Sequence, residues 1–250
     1  MSIVTLLTDF GTADSYVAEM RGVLLSAVPG ATLVDLSHEV APGAVRTAAY
    51  LLGRAWHRFP PGTVHLVVVD PGVGTARAAL AVESGGHRFV GPDNGALTPI
   101  LEGARVVELP TTPGASATFH GRDLFAPAAA ALATGVPLAA LGAAPASPPF
   151  LLPAPERRYD GKTLLGTVVH VDRFGNLVTD LTPDLLSRSV TFHVEDFAAG
   201  PLQRTFADTA NGGLVAFIGS GGTVEIAVRG GSAARRLGVG VGGTVRAVLG

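Results

Sequence analysis

Apolar positions along this chain fall into short runs of two kinds, and their spacing changes near the middle. Residues 3–7, 32–36 and 64–69 are mostly apolar runs of strand length, and the run that ends at Val69 reads as a buried strand. Between them, Val17, Met20, Val23, Leu24 and Val28 recur at helical spacing, with Asp14 or Ser15 placed to cap the start and Pro29-Gly30 to end it. Residues 45–56 repeat the helical pattern, with Pro42 near their start. Strand, helix, strand, helix, strand predicts a parallel sheet with right-handed crossovers. Residues 79–82, 88–90 and 105–108 predict further short strands, and residues 124–133 a helix that carries Pro127 in its first turn.

The pattern then breaks. Residues 143–161 are rich in proline and predict a linker. Beyond it, residues 164–171, 190–194, 213–218, 223–228 and 243–249 read as short strands parted by Gly-rich turns, with Val190, Phe192 and Val194 alternating with polar residues. The expected architecture is an α/β domain with a mainly parallel sheet over residues 1–142, followed by a small all-β, barrel-like domain over residues 162–250.

Composition narrows the function classes. Of the 250 residues, 47% are hydrophobic and 15% charged, ample for packed cores and contrary to disorder. A formal net charge of -2 offers no basic face, so no nucleic-acid partner is expected. Without cysteine there are no disulfides, thiolate nucleophiles or Cys-ligated zinc. His38, His57, His65 and His87 lack metal-ligand spacing, so no metal is expected. The first residues lack the basic region of a signal peptide, and no run spans a membrane without interruption, which makes a cytoplasmic protein the expectation.

Candidate chemistry collects at the ends of the apolar runs. Val67-Val68-Val69 ends in Asp70-Pro71-Gly72-Val73-Gly74-Thr75-Ala76-Arg77. That delivers an acid and a base on a glycine-lined loop at a strand's carboxyl end, where open α/β sheets bind ligands. An arginine facing an aspartate orients it and favours the charged carboxylate; the same pair could equally be a loop brace. Asp9 follows the first strand, suited to a ribose diol or to a turn. His120, in Phe119-His120-Gly121-Arg122-Asp123, could accept a proton or orient water. Asp172-Arg173-Phe174-Gly175-Asn176 combines a stacking face with an amide, fit for a purine or for a plain turn. Ser220-Gly221-Gly222 and Arg229-Gly230-Gly231-Ser232 read as hairpin turns. Neither a phosphate loop nor a Gly-x-Ser-x-Gly elbow occurs.

Taken together, these motifs resemble the S-adenosylmethionine hydroxide adenosyltransferase (adenosylmethionine hydrolase) family, whose relatives are the fluorinase and chlorinase enzymes. The resemblance runs through Leu7-Thr8-Asp9-Phe10-Gly11, Val34-Asp35-Leu36-Ser37-His38, the Asp70 loop, Gly91-Pro92-Asp93-Asn94-Gly95, Phe119 to Asp123, Phe174-Gly175-Asn176 and Glu225-Ile226-Ala227-Val228. It implies a homotrimer with each site shared between neighbouring subunits, and attack of water or hydroxide on the ribose C5′ of S-adenosyl-L-methionine to give adenosine and methionine. Asp70, Arg77 and His120 match the family's water-handling set, and Asp9 the ribose aspartate. Asp14 matches an acid near the methionine end, Asp172, Phe174 and Asn176 the second-domain substrate residues, and Ser220 a methionine contact. Val228 through Gly230 match the strand at the adenine edge. The sulfonium departs as a neutral thioether, so this chemistry needs no general acid, metal or cofactor. A halogenase is the nearest alternative, but halogenases carry tyrosine and a hydroxyl residue where Asp70 and Val73 stand. A non-catalytic adenosine or S-adenosylmethionine sensor is the alternative of a different class.

Overall fold

The computed structural model describes residues 2–111, 113–154 and 157–250. The chain divides into two compact units, Met1–Leu152 and Pro153–Gly250.

The first unit is built on one six-stranded sheet. Its elements are β1 (Ile3–Thr8), α1 (Tyr16–Ala27), β2 (Thr32–Ser37), α2 (Val45–Ala55), β3 (Val64–Val68), β4 (Ala79–Ser84), β5 (His87–Pro92), β6 (Arg105–Glu108) and α3 (Ala126–Ala133). The strand order is β2-β1-β3-β5-β4-β6. The four strands β2, β1, β3 and β5 run parallel, whereas β4 pairs antiparallel with β5 and β6. The sheet is therefore mixed, its antiparallel edge arising because the tight β4–β5 turn leaves no room for a crossover.

Apolar side chains cover both faces of the sheet. Leu6, Met20, Leu66, Val90 and Phe125 fill one core, and Leu7, Leu52, Val67, Leu80 and Phe89 the other. Burial on both faces explains why β1 and β3 are mostly apolar.

The chain leaves β1 for β2 on one side and returns to β3 on the other. The carboxyl ends of β1 and β3 thus form a topological switch point, where an open α/β sheet splays apart to admit a ligand.

The second unit contains β7 (Arg158–Asp160), β8 (Thr163–Val171), β9 (Leu177–Thr179), β10 (Val190–Val194), β11 (Phe197–Gln203), β12 (Leu214–Ile218), β13 (Val224–Val228), α4 (Ala233–Leu237) and β14 (Thr244–Leu249). The order β14-β10-β11-β12-β13-β9-β8 closes through β8–β14 pairing into a seven-stranded barrel, with β7 added outside β8. Phe192, Leu164, Val168, Ile226 and Val245 fill its interior.

Two expectations change in detail. Much of the Pro-rich stretch at residues 143–161 is not a free linker. Ala143 C=O accepts from Glu108 N–H, and Phe150 N–H donates to Asp93 Oδ1 at 2.7 Å. Proline limits regular structure but leaves the remaining amides free to pair. The Gly-rich turn at Gly230-Gly231-Ser232 leads into α4 rather than a hairpin, because Ser232 Oγ caps the helix at Arg235 N–H.

Candidate active site

Asp70 lies two residues beyond the end of β3. Arg77 grips its carboxylate at three points: Nε lies 3.0 Å from Oδ1 and 3.1 Å from Oδ2, and Nη2 lies 2.5 Å from Oδ2. The carboxylate side chain is 4% exposed and the guanidinium 10%, so the pair is held away from bulk water. A fork-shaped cation against a carboxylate fixes direction as well as charge. The guanidinium also stacks 5.1 Å above the Phe125 ring.

The same Arg77 Nη2 lies 2.9 Å from His120 Nδ1. Guanidinium can only donate, so Nδ1 must accept. His120 is thereby held in the tautomer that carries its proton on Nε2. The third residue of the set is brought in by loop packing. Gly74 has φ +77°, and a Cβ there would stand 2.5 Å from the Ala117 carbonyl oxygen. Only glycine lets the Asp70 loop approach the His120 loop this closely. Gly121 likewise packs tightly against Val68, Met20 and Phe119, and opens a single π-helical turn (Gly121–Phe125) that runs into α3.

The neighbouring motif residues are braces. Arg122 bonds Glu19 on α1 at 2.9 Å and Asp123 at 2.6 Å, and holds the Asp123 carboxyl below the usual range. Asp123 in turn accepts from Ser116 N–H, which anchors the loop leading to His120. Asn94 donates to the Val69 carbonyl at 2.8 Å, fixing the strand end beside Asp70. His38 joins Thr8, 2.8 Å away, to Asp35, 3.0 Å away.

A cleft of about 550 Å³ opens at the switch point, lined by Asp9, Asp70, Val73, His120 and the rings of Phe10, Tyr16 and Phe119. Asp9 Oδ2 accepts from Gly43 N–H at 2.8 Å, which leaves Oδ1 for another donor. Asp14 is exposed in the turn before α1 and does not line this cleft.

The second unit has its own cleft of about 620 Å³, lined by Phe174, Asn176, Phe206, Val228, Gly230 and Arg235. Phe174 is 76% exposed, an unusual position for a large ring with no structural duty. Its loop is tied down by Asp172, whose Oδ1 accepts from Phe174 N–H and Asn176 N–H at 2.9 and 2.8 Å. Asp172 Oδ2 accepts from Asn176 Nδ2 at 2.8 Å. Asp172 thus shapes its own turn, and the Asn176 amide oxygen is left open. Gly175 is required here, since a Cβ would stand 2.0 Å from Ser232 Oγ. Ser220 sits in the β12–β13 hairpin, at the opposite end of β13 from Val228, and does not line the cleft. Phe206 was not singled out by sequence reasoning. It follows Thr205 in a Thr-x-x-Asp capping box, a signal that marks a helical turn but not a ligand-facing ring.

Residues 4–142 match the family description "SAM hydroxide adenosyltransferase N-terminal domain", and residues 166–246 match its C-terminal counterpart. This chain belongs to the SAM hydroxide adenosyltransferase family. It is 44% identical to a protein of Salinispora tropica named (R)-S-adenosyl-L-methionine hydrolase, across 99% of this chain and 98% of that one. A protein of the same name from Thermus thermophilus is 43% identical over 98% of this chain and 99% of its own. A fluorinase of an Actinoplanes species is more distant, at 29% identity over 90% of each chain. Among solved structures, an uncharacterized conserved protein from Thermotoga maritima superposes with a TM-score of 0.88 at 35% identity, covering 98% of this chain and 99% of that one.

Proposed function

We propose that this family member hydrolyses S-adenosyl-L-methionine to adenosine and L-methionine by in-line attack of water on the ribose C5′ carbon. The observation that carries the reading is the Asp70–Arg77–His120 constellation in the switch-point cleft. Asp70 accepts a hydrogen bond from the attacking water, and His120 Nε2–H donates one to it. One lone pair of the water is left for C5′. As the C5′–O bond forms, the C5′–S bond breaks and its electron pair neutralises the sulfonium. The surplus water proton passes to Asp70 and then to solvent. Arg77 holds Asp70 and the His120 tautomer in place, so the contribution is positioning with partial polarisation.

Asp9 is assigned the ribose hydroxyls through its open oxygen. Phe174 stacks on adenine, Asn176 Oδ1 accepts from its amino group, and the backbone from Val228 to Gly230 pairs with its edge. Asp172 acts by shaping that turn. Asp14, two residues before Tyr16, is assigned the methionine ammonium, and Ser220 the methionine end on the strength of the family resemblance. A homotrimer in the cytoplasm, with each site shared between copies and no metal or other cofactor, completes the proposal. Halide is disfavoured as nucleophile, because both positions that distinguish halogenases, Asp70 and Val73, line the cleft. A carboxylate repels an incoming halide, and valine offers it no donor.

The close relatives are named for the (R) epimer of the substrate. Incubation of this protein with each sulfonium epimer separately, followed by quantification of adenosine and methionine, tests the reading. Equimolar products, formed faster from the (R) form, are expected. Tight binding of either epimer without products would make the chain a sensor instead.

A further inference from the structure

The switch-point cleft contains more aromatic surface than a ribose or a water needs. Phe10, Tyr16 and Phe119 all line it, and each touches the other two. Ring centroids lie 5.7 Å apart for Phe10–Tyr16, 5.9 Å for Phe10–Phe119 and 5.3 Å for Tyr16–Phe119, the last two edge to face. Asp9 and Asp70 are the acids that line the same space, and no lysine or arginine does. Arg122 lies 5.0 Å over Phe119, but Glu19 and Asp123 already neutralise it.

A trialkyl sulfonium has no N–H or O–H to donate. Like a quaternary ammonium, it is recognised through charge and ring quadrupoles. We infer that Phe10, Tyr16 and Phe119 form an aromatic cage for the sulfonium, making this cleft select a cationic sulfur over a neutral thioether. The inference rests on the hydrolase reading and names the group that the cleft discriminates. It also has a kinetic consequence. The positive charge on sulfur falls as the C5′–S bond breaks, so the cage is strongest before reaction. It serves substrate capture and release of the neutral product, not the chemical step.

The test compares S-adenosyl-L-methionine with S-adenosyl-L-homocysteine. Both carry the α-ammonium, and they differ in the S-methyl group and the charge it confers. The wild type is expected to bind the sulfonium at least tenfold more tightly by calorimetry. Tyr16→Leu and Phe10→Leu, which keep apolar bulk, should each reduce that preference about five- to tenfold. They should raise KM while leaving kcat undiminished or somewhat higher, because the lost attraction is greater before reaction than in the transition state. Tyr16→Phe should restore the preference. Equal affinity of the wild type for the two ligands, or an equal loss for both in the leucine variants, would overturn the cage. Retained preference for the sulfonium without adenosine production would leave the cage standing and remove the hydrolase reading.

Discussion

Arg77 Nη2 lies 2.9 Å from His120 Nδ1, and this contact assigns the protons of the site. Because the guanidinium donates, the neutral His120 ring carries its proton on Nε2, and in the proposed mechanism it donates to water and is not its base. A glutamine side chain offers an amide N–H near the place of Nε2, whereas alanine offers none. His120→Gln should therefore retain a kcat about tenfold or more above that of His120→Ala. Steady-state kinetics of the two variants check this. Equal losses would return the role of base to His120.

Gly74 joins the two halves of the constellation. Gly74→Ala must place a methyl against the Ala117 carbonyl and hold alanine at φ +77°. A cost of about 1–3 kcal/mol in stability is expected, readable as a lower Tm. The displaced loops should also lower kcat by more than tenfold with a smaller change in KM, since a shift of about 1 Å in a reacting group can cost a hundredfold. A neighbouring Gly72→Ala variant meets only ordinary or slightly tight contacts, the nearest being Arg77 Cγ at 3.3 Å, and should be milder in both measurements.

Much of this was legible before the fold was known, for reasons that differ by element. β1 and β3 are buried on both faces, so their apolar runs stand out, and an acid at the end of each marks the sheet's carboxyl edge. The short elements of the barrel were not legible. β9 is three residues long, and β11 contains Gly200 and Pro201, which local propensity assigns to turns and which barrel closure overrides. At the site, residue types were readable but their use was not. Asp172 also makes three hydrogen bonds to its own turn, which residue type alone does not reveal. The meeting of Asp70 with His120 depends on the contact of Gly74 with Ala117, which no local pattern encodes.

Phe174 separates function from folding cleanly. With its ring 76% exposed, Phe174→Ala should change stability by no more than about 0.5 kcal/mol. If the ring stacks on adenine, KM should rise about tenfold or more, the usual cost of removing one base–aromatic stack. Thermal denaturation and kinetics on the same preparation decide the matter. An unchanged KM would remove Phe174 from the binding site.

Acid stability should report a buried histidine pair at the far end of the sheet from the cleft. His65 Nε2 lies 3.2 Å from His87 Nδ1, Thr5 Oγ1 lies 2.8 Å from His65 Nδ1, and His65 stacks on Phe89 at 4.9 Å. Burial, with the charge of His87 adding to it, pushes His65 down to about 3, and burial lowers His87 too. Burial thus favours the neutral form of both in the folded chain, so protons bind the unfolded chain first. The stabilising contribution of His65 is complete above about pH 6.5 and is lost as pH falls toward 3, with a slope of about 1.4 kcal/mol per pH unit, and His87 contributes in the same direction. Urea unfolding across that range should show the decline. His65→Gln, which keeps a partner for Thr5, should flatten it, and an unaltered slope would contradict the assignment.

In the proposed reaction, water positioned by Asp70 and His120 becomes the 5′-hydroxyl of adenosine. The direct measurement is turnover of S-adenosyl-L-methionine in ¹⁸O-labelled water containing chloride, with mass spectrometry of the nucleoside. One label on the adenosine 5′-oxygen and no 5′-chloroadenosine are expected. Unlabelled adenosine, or the chlorinated nucleoside in its place, would contradict it.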